Sequence, residues 1–244
     1  MLSNLIKTLE GFGPLSPEDK AALQRVTGEL RQFRAGDEIV SDGAKPSRCA
    51  LINKGQAFRY KLLSDGRRQI MAFHVPGDMV DLHSLFLSMD HSIGALTNCE
   101  VMFIPHGVLE TLIEAHPAVG RALWRYNLVE SAIFRQWMIG MGRRSAYARI
   151  AHLFCEMKVR LEAAGLSHRS RVPLPLTQQH LSDALGLSVV HTNRVLQSLR
   201  REGLITFRSG QLVVLDWPGL QAAGEFEAGY LHTGENRPAT MAKA

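Results

Sequence analysis

Residues 177–205, TQQHLSDALGLSVVHTNRVLQSLRREGLI, contain the most specific structural signal in this chain. Thr177 and Ser188 each precede a segment of helical apolar spacing, and each can cap a helix. Gly186 lies between the two segments, where a tight turn favours glycine. This spacing predicts a helix-turn-helix whose second helix can enter the major groove of DNA. The predicted DNA-contacting residues are the two caps and the outward positions of the second helix: Thr177, Ser188, Val189, Val190, His191, Asn193, Arg194 and Gln197.

A strand hairpin is predicted directly after the two helices. Residues 205–215 contain two strand-like runs on either side of Ser209-Gly210, a pair typical of a tight turn. Arg208 flanks this turn, where its guanidinium can reach the sugar–phosphate backbone. Together the helices and the hairpin predict a winged helix, which we place in residues 143–231. An ordinary helical hairpin, the alternative interpretation, would explain neither the wing nor the charge of this region.

Positive charge is concentrated in the same part of the chain. Between Arg143 and Leu215 there are eleven Lys and Arg residues and four Asp and Glu residues, whereas the whole chain has a net charge of +5. A basic segment beside a slightly acidic remainder predicts that one part of the protein binds a polyanion. The partner that these features favour is double-stranded DNA.

Residues 30–105 have a different pattern. Short apolar runs, such as residues 38–40 and 101–104, alternate with turn pairs such as Gly36-Asp37 and Asp65-Gly66. Turn residues at intervals of roughly a dozen positions between strand-like runs are typical of an antiparallel sandwich or barrel. We therefore predict an all-β domain that, with short N-terminal helices, occupies residues 1–116.

A long helix is predicted between the two domains, over residues 117–142. Its apolar side chains recur every three or four positions and so lie on one stripe. Such a stripe can pack on the chain's own β domain, or it can form a parallel seam with a second subunit. The near-heptad spacing favours a homodimer, and the predicted seam residues are Val119, Ala122, Tyr126, Val129, Ile133 and Trp137.

Composition excludes several classes of protein. With 244 residues, 45% hydrophobic and 21% charged, the chain has the usage of a globular protein, not of a disordered or fibrous one. No apolar run approaches the ~20 residues that cross a bilayer, and residues 1–16 lack the features of a secretory signal, so we expect a cytoplasmic protein with no membrane partner. Residues 232–244 are predicted to be a loose tail.

These predicted elements, in this order, resemble the Crp/Fnr family of bacterial transcription factors (cyclic AMP receptor protein / fumarate and nitrate reduction regulator). The resemblance covers nearly the whole chain. It implies an α+β fold with an N-terminal β-roll like a cyclic-nucleotide-binding domain, a long dimerisation helix and a C-terminal winged helix-turn-helix. The motifs that carry it are AGDE at 35–38, DGRRQI at 65–70, PGD at 76–78, LGLS at 185–188 and NRVL at 193–196.

The resemblance also implies how the protein works. Members of the family are homodimers that bind inverted-repeat operators, and RNA polymerase is a further implied partner. Arg194 matches an arginine that contacts guanine, and a bidentate arginine to guanine O6 and N7 is the commonest specific contact. Relatives that read the familiar half-site carry an acidic residue on the recognition helix, whereas this chain has Val189-Val190-His191. We therefore expect a different half-site.

The predicted sensor domain departs from relatives that bind cyclic nucleotides. Their Gly-Glu pair for the ribose aligns with Asp81-Leu82, and their Arg-Ser pair for the cyclic phosphate aligns with Met89-Asp90. A carboxylate in place of an arginine repels a phosphate. We therefore predict that the effector, if there is one, is not cyclic AMP, and that Asp81, His83 and Ser84 line its pocket.

The sequence lacks the residue patterns that are typical of metal sites and of catalytic sites. Its cysteines, which are Cys49, Cys99 and Cys155, cannot supply the four thiolates of an iron–sulfur cluster, and the histidines lack a standard metal-binding spacing. No nucleophile–base motif or phosphate-binding glycine loop is present either. We predict no metal, no cofactor and no enzymatic activity. The alternative function is a haem, metal or small-molecule sensor whose helix-turn-helix serves protein contacts.

Overall fold

The computed structural model describes residues 2–167 and 170–233, beginning with two short helices. Helix α1 spans Ser3–Phe12 and helix α2 spans Pro17–Arg25. Ser16 caps α2, because its hydroxyl accepts a hydrogen bond from the Asp19 backbone N–H at 3.1 Å and the Asp19 carboxylate accepts one from the Ser16 N–H at 2.9 Å. Both helices pack on the outside of the domain that follows.

Seven strands form the β-roll. Two antiparallel sheets face each other, with strand orders β1-β7-β3 and β2-β6-β4-β5, and apolar side chains such as Ile52, Ile93 and Val101 fill the space between them. This confirms the predicted all-β domain. A 3₁₀ turn, Leu82–Leu85, precedes β6. The strands are β1 Glu29–Phe33, β2 Glu38–Val40, β3 Arg48–Lys54, β4 Ala57–Leu62, β5 Arg68–His74, β6 Ser92–Ala95 and β7 Cys99–Pro105.

Two helices lead out of the β-roll: α3, His106–Ala115, and α4, Pro117–Arg143. The apolar stripe predicted to form a dimer seam lies on α4, where its side chains pack within the protomer. Val119, Ala122 and Tyr126 are buried against α1 and the outer face of the β-roll, and Val129 and Ile133 are buried in the core shared with the C-terminal domain. Trp137 is half-buried and donates through Nε1 to Glu156 at 3.1 Å. These six side chains are used within one protomer, so they leave little surface for a second subunit.

The opposite face of α4 is open. Trp124 is 69% exposed, Leu128 51% and Met138 62%, and Phe134, Ile139 and Met141 are exposed beside them. Sequence periodicity could not separate the two faces, because α4 carries apolar residues on both. Among the described residues, no helix has the length and apolar character needed to span a membrane.

The C-terminal domain has the predicted winged helix-turn-helix. Its sheet has the order β8-β10-β9, and β9 and β10 are the wing. Residues 234–244, most of the predicted tail, lie outside the described part of the chain. The elements are α5 Ala146–Ala163, β8 Arg171–Pro173, α6 Gln178–Leu185, α7 Val189–Arg201, β9 Ile205–Arg208, β10 Gln211–Val214, α8 Trp217–Gly224 and a 3₁₀ turn, Ala228–Leu231.

A buried ion network joins the two domains. Arg160 on α5 lies with its Nη2 atom 3.1 Å from Asp78 Oδ2 and 3.7 Å from Glu130 Oε1, while its Nη1 atom is 3.5 Å from Glu156 Oε1. The Arg160 side chain is 9% exposed and that of Glu156 is fully buried. Burial raises the pKa of Glu156, while Arg160 and hydrogen bonds from Trp137 and Tyr230 act in the opposite direction. One guanidinium therefore lies beside carboxyl groups from the β-roll, from α4 and from α5 itself.

We expect Arg160→Met to lower the free energy of unfolding by about 3–5 kcal/mol, because it would leave buried carboxylates without a cation. Equilibrium urea denaturation measures the change. Arg67→Met is the control, since the Arg67 side chain is 78% exposed and pairs only with neighbouring Asp65; its loss should stay within about 0.5 kcal/mol. Similar losses for the two variants would show that the network contributes no more than a surface pair.

Candidate DNA-binding interface and sensor site

The two helices of the helix-turn-helix begin at hydroxyl caps. Thr177 Oγ1 accepts from the His180 N–H at 3.1 Å, and Ser188 Oγ accepts from the His191 N–H at 3.2 Å. Gly186 ends α6 with φ +62°, a left-handed conformation that favours glycine. Thr177 and Ser188 are exposed, but their hydroxyl oxygens already hold the helix ends.

Polar contacts fix the angle between α6 and α7. Ser182 Oγ lies 3.0 Å from Thr192 Oγ1 and also donates to the Gln178 carbonyl at 2.8 Å. The Gln178 amide in turn donates to Asn193 Oδ1 at 3.4 Å. The small side chain of Ser182 lets the helices approach closely, and buried hydroxyls with partners carry no desolvation penalty. The recognition helix is thus set on a rigid support.

The outward face of α7 presents the predicted DNA-contacting side chains. The exposed side chains on this face are Val189, Val190, His191, Arg194 and Gln197. The exposed fraction of Val190 is 71%, the larger of the two valines. Asn193 is half-buried and held by Gln178. Among the described residues, the Arg194 guanidinium has no hydrogen-bond acceptor and no ion-pair partner. The structure therefore brings these side chains together on one surface and leaves Arg194 available to a ligand.

The wing extends beside this surface. Arg208 pairs with Gln211 across the hairpin, and the turn between them uses positive φ at Ser209 (+49°) and Gly210 (+73°). Arg208 is exposed at the end of β9. Arg200 Nη2 donates to the Phe207 carbonyl at 2.6 Å and so ties the wing to α7.

Not every arginine of the basic region is available to DNA, and the count of charges in the sequence missed this. Arg149 Nη1 donates to the Leu185 carbonyl at 2.9 Å and holds the end of α6. Arg144 donates to Gln136, Arg200 holds the wing and Arg160 is buried. Only hydrogen-bond geometry separates these structural arginines from Arg194 and Arg208.

The helix-turn-helix is docked on the β-roll. Arg68 Nη2 on β5 lies 2.8 Å from Asp183 Oδ2 on α6, and the Gln69 amide donates to the Ala184 carbonyl at 3.2 Å. The Arg68 guanidinium lies over the Phe58 ring, 5.0 Å from its centre, and His180 packs against the same ring. The orientation of the recognition helix is thus set by contacts with the sensor sheet.

The predicted effector residues fall into two separate places. Asp81 is fully buried, and its Oδ1 atom accepts from the Ala50 N–H at 2.7 Å. Burial raises the pKa of Asp81 to about 7, so both protonation states of its carboxyl are populated near neutral pH. Ser84 Oγ lies 3.1 Å from His106 Nε2 and 3.6 Å from Cys49 Sγ. Sequence reasoning missed His106 and Cys49, which are distant in the chain and follow no motif.

His83 lies apart from Asp81 and Ser84, beside His91. The two imidazole centres are 5.0 Å apart, and His91 Nδ1 is 2.5 Å from Asp90 Oδ1. Burial lowers the pKa of His91 to about 4 and also lowers that of His83. Both rings are therefore neutral at pH 7. Asp90, which the resemblance aligns with a phosphate-binding arginine, accepts a hydrogen bond from His91 in the structure.

A cleft lies elsewhere in the molecule, between α1, α4 and α5. Its volume is about 560 Å³, and its walls include Phe12, Tyr126, Ile133, Glu130 and Arg160. None of Asp81, His83 and Ser84 lines it. The predicted effector residues and this cleft are therefore distinct features of the molecule.

Comparisons with known proteins agree with this architecture. A family model described as a cyclic nucleotide-binding domain matches residues 30–116, and one described as a Crp-like helix-turn-helix domain matches residues 148–223. The two matched segments contain the β-roll and the two-helix unit with its wing.

Similar proteins are found among bacterial regulators. The chain is 33% identical to the nitrogen fixation regulation protein FixK of Bradyrhizobium diazoefficiens over 78% of this chain and 79% of that protein. It is 31% identical to the transcriptional activatory protein AadR of Rhodopseudomonas palustris, over 86% and 87% of the two chains. The solved structure of FixK2 from Bradyrhizobium japonicum superposes with a TM-score of 0.75 at 28% identity, covering 83% of this chain and all of that one.

These similarities extend over both domains and the helix between them. They agree with the exposed recognition helix, the wing and the β-roll that the structure places in one protomer. Regulators of this kind bind DNA and dimerise, and they are not enzymes. The chain belongs to the Crp/Fnr family of transcription regulators.

Proposed function

We propose that this regulator binds an inverted-repeat operator as a homodimer, with Arg194 reading a base and Arg208 holding the DNA backbone. The observation that carries the proposal is the Arg194 guanidinium, which is exposed on α7 and has no partner among the described residues. Arginine in this position can donate two hydrogen bonds to guanine O6 and N7. As a DNA-binding regulator it acts in the cytoplasm and presents its operator complex to RNA polymerase.

The half-site differs from that of relatives with an acidic recognition helix. Val189 and Val190 are exposed at the start of α7, and an apolar side chain there favours contact with a thymine methyl. His191 is exposed in the next position, where its ring can reach a base or a phosphate. Asn193 and Gln197 lie about one and two turns beyond Val189, so the part of α7 that can reach bases is its first two turns or so.

The subunit seam lies on the open face of α4. Trp124, Leu128 and Met138 form an apolar surface along a helix of 27 residues, and contiguous exposed apolar surface is typical of an interface. A second copy of α4 is the occupant that the family's dimeric state favours. This assignment replaces the buried stripe from Val119 to Trp137 and keeps the same helix.

The effector of this regulator is a molecule other than cyclic AMP. Asp90 occupies the position of the phosphate-binding arginine, and its carboxylate would repel the cyclic phosphate. Burial raises the pKa of Asp90, but the hydrogen bond from His91 acts in the opposite direction and the pKa is lowered, so Asp90 is ionised at pH 7.

We expect Arg194→Ala to weaken binding to the specific operator by roughly 1–3 kcal/mol, with little loss on scrambled duplex, because it removes a bidentate base contact. Arg208→Ala should weaken both DNAs alike and reduce the salt slope by about one unit, since one fewer counterion is released. Titrations of each variant on both duplexes at several salt concentrations measure these effects. Equal losses on both DNAs for Arg194→Ala would make it a backbone contact.

We expect the double variant Leu128→Glu, Met138→Glu to sediment as a folded monomer, because it places charges on the open face of α4. Val129→Glu is the matched control: Val129 is adjacent in sequence but buried in its own protomer, so this change should lower the melting temperature. Analytical ultracentrifugation and thermal melting separate the outcomes. A double variant that stays dimeric would move the seam away from this face.

We expect millimolar cyclic AMP to leave the melting temperature and the operator affinity unchanged. A ligand at a hundredfold excess over its Kd would stabilise the protein by ~2.7 kcal/mol, which thermal melting detects readily. Stabilisation of that size would contradict the assignment of Asp90 to the phosphate position.

A further inference from the structure

A cluster of His83, Asp90 and His91 lies at one edge of the β-roll, and the DNA-binding function makes no use of it. His83 belongs to the 3₁₀ turn Leu82–Leu85, whereas Asp90 and His91 directly precede β6. One ligand atom from each residue lies within 4.8 Å of the ligand atoms of the other two. The fold therefore brings two imidazoles and a carboxylate together from two segments.

Two nitrogen atoms of this cluster are buried without a partner. His83 Nε2 and His91 Nε2 are inaccessible to solvent and have no hydrogen-bond partner among the described residues, and the whole His91 side chain is 91% buried. A buried polar atom with no partner is destabilising, because it has lost its hydrogen bonds to water without replacement. Such atoms are rare in folded proteins and call for an occupant.

The hydrogen bond between His91 and Asp90 prepares one of these atoms for a cation. An ionised carboxylate only accepts hydrogen bonds, so His91 carries its proton on Nδ1 and donates it to Asp90 Oδ1 at 2.5 Å. A neutral His91 ring then has a lone pair on Nε2. A carboxylate that orients a histidine in this way is a common feature of metal sites in proteins.

We propose that His83 and His91 bind a divalent first-row transition-metal ion such as Zn²⁺ through their Nε2 atoms, with Asp90 holding the His91 ring in place. Imidazole nitrogens are preferred ligands of these ions, and two histidines leave positions open to water or a small effector. Bonds of about 2.0–2.1 Å place ligand atoms ~3.3 Å apart in tetrahedral geometry, so the two rings must close slightly around the ion.

One neighbouring charge opposes the ion, and the structure already neutralises it. The positive charge of Arg59 acts on both His83 and His91. Its guanidinium donates to the Val80 carbonyl at 3.1 Å and lies 4.0 Å from Glu130 on α4. The paired Arg59 is therefore a weaker obstacle than a free cation would be, and it connects the site to the helix that carries the subunit seam.

Metal binding is tested on the full-length, untagged dimer, freed of metal by chelation. Calorimetric titration with Zn²⁺ should give one ion per chain, and Co²⁺ should give visible absorption bands that Zn²⁺ abolishes. His83→Ala and Asp90→Asn should each weaken Zn²⁺ binding about tenfold or more. Both residues are more exposed than His91, so the metal-free variants should keep the wild-type melting temperature.

Two control variants remove similar groups elsewhere. His191→Ala deletes an exposed imidazole on α7, and Asp65→Asn removes an exposed carboxylate at the β4–β5 turn. Both should bind Zn²⁺ as the wild type does. The proposal is overturned if the wild type shows no saturable binding of one ion per chain. It is equally overturned if His83→Ala and Asp90→Asn bind as tightly as the controls.

Discussion

The buried guanidinium of Arg160 is the interaction on which the arrangement of the two domains depends. It lies between Asp78 in the Pro-Gly-Asp turn of the β-roll, Glu130 on α4 and Glu156 on its own helix. Burial raises the pKa of Asp78, but the nearby His74 ring and the charge of Arg160 outweigh it, and the pKa is lowered. Charges out of water must be paired, so the three elements are held in one geometry.

This constraint explains how the recognition helix is positioned relative to the sensor. The first helix of the DNA-binding domain is tied to the β-roll through Arg160, and α6 is tied to β5 through the Arg68–Asp183 pair. A continuous apolar core from Phe73 and Ile133 to Phe154 fills the space between these contacts. The β-roll and α4 are therefore joined to the helix-turn-helix by packed side chains and buried charges.

The arginines of the basic region fall into two groups, according to whether their side chains have partners within the protein. Those that hydrogen-bond to carbonyls or carboxylates, such as Arg149, Arg160 and Arg200, hold helices, wing and domains in place. Arg194 and Arg208 are exposed, and the Arg194 guanidinium has no partner among the described residues. Helix α4 is divided in a similar way, since one apolar face is buried within the protomer and the other is exposed. Residue type is the same on both sides of each division, and the two sides differ in hydrogen-bond partners for the arginines and in burial for α4.

The helices, the strands and the family were predictable from the amino-acid sequence. Caps at Ser16, Thr177 and Ser188, the left-handed Gly186 and the alternation of the strands are local features, because helix ends and tight turns depend on neighbouring residues. The tertiary structure alone decided which face of α4 is buried, which arginines are structural and that His83 meets His91 instead of Asp81. These facts depend on contacts between residues far apart in the chain, and neither periodicity nor charge counts contain that information.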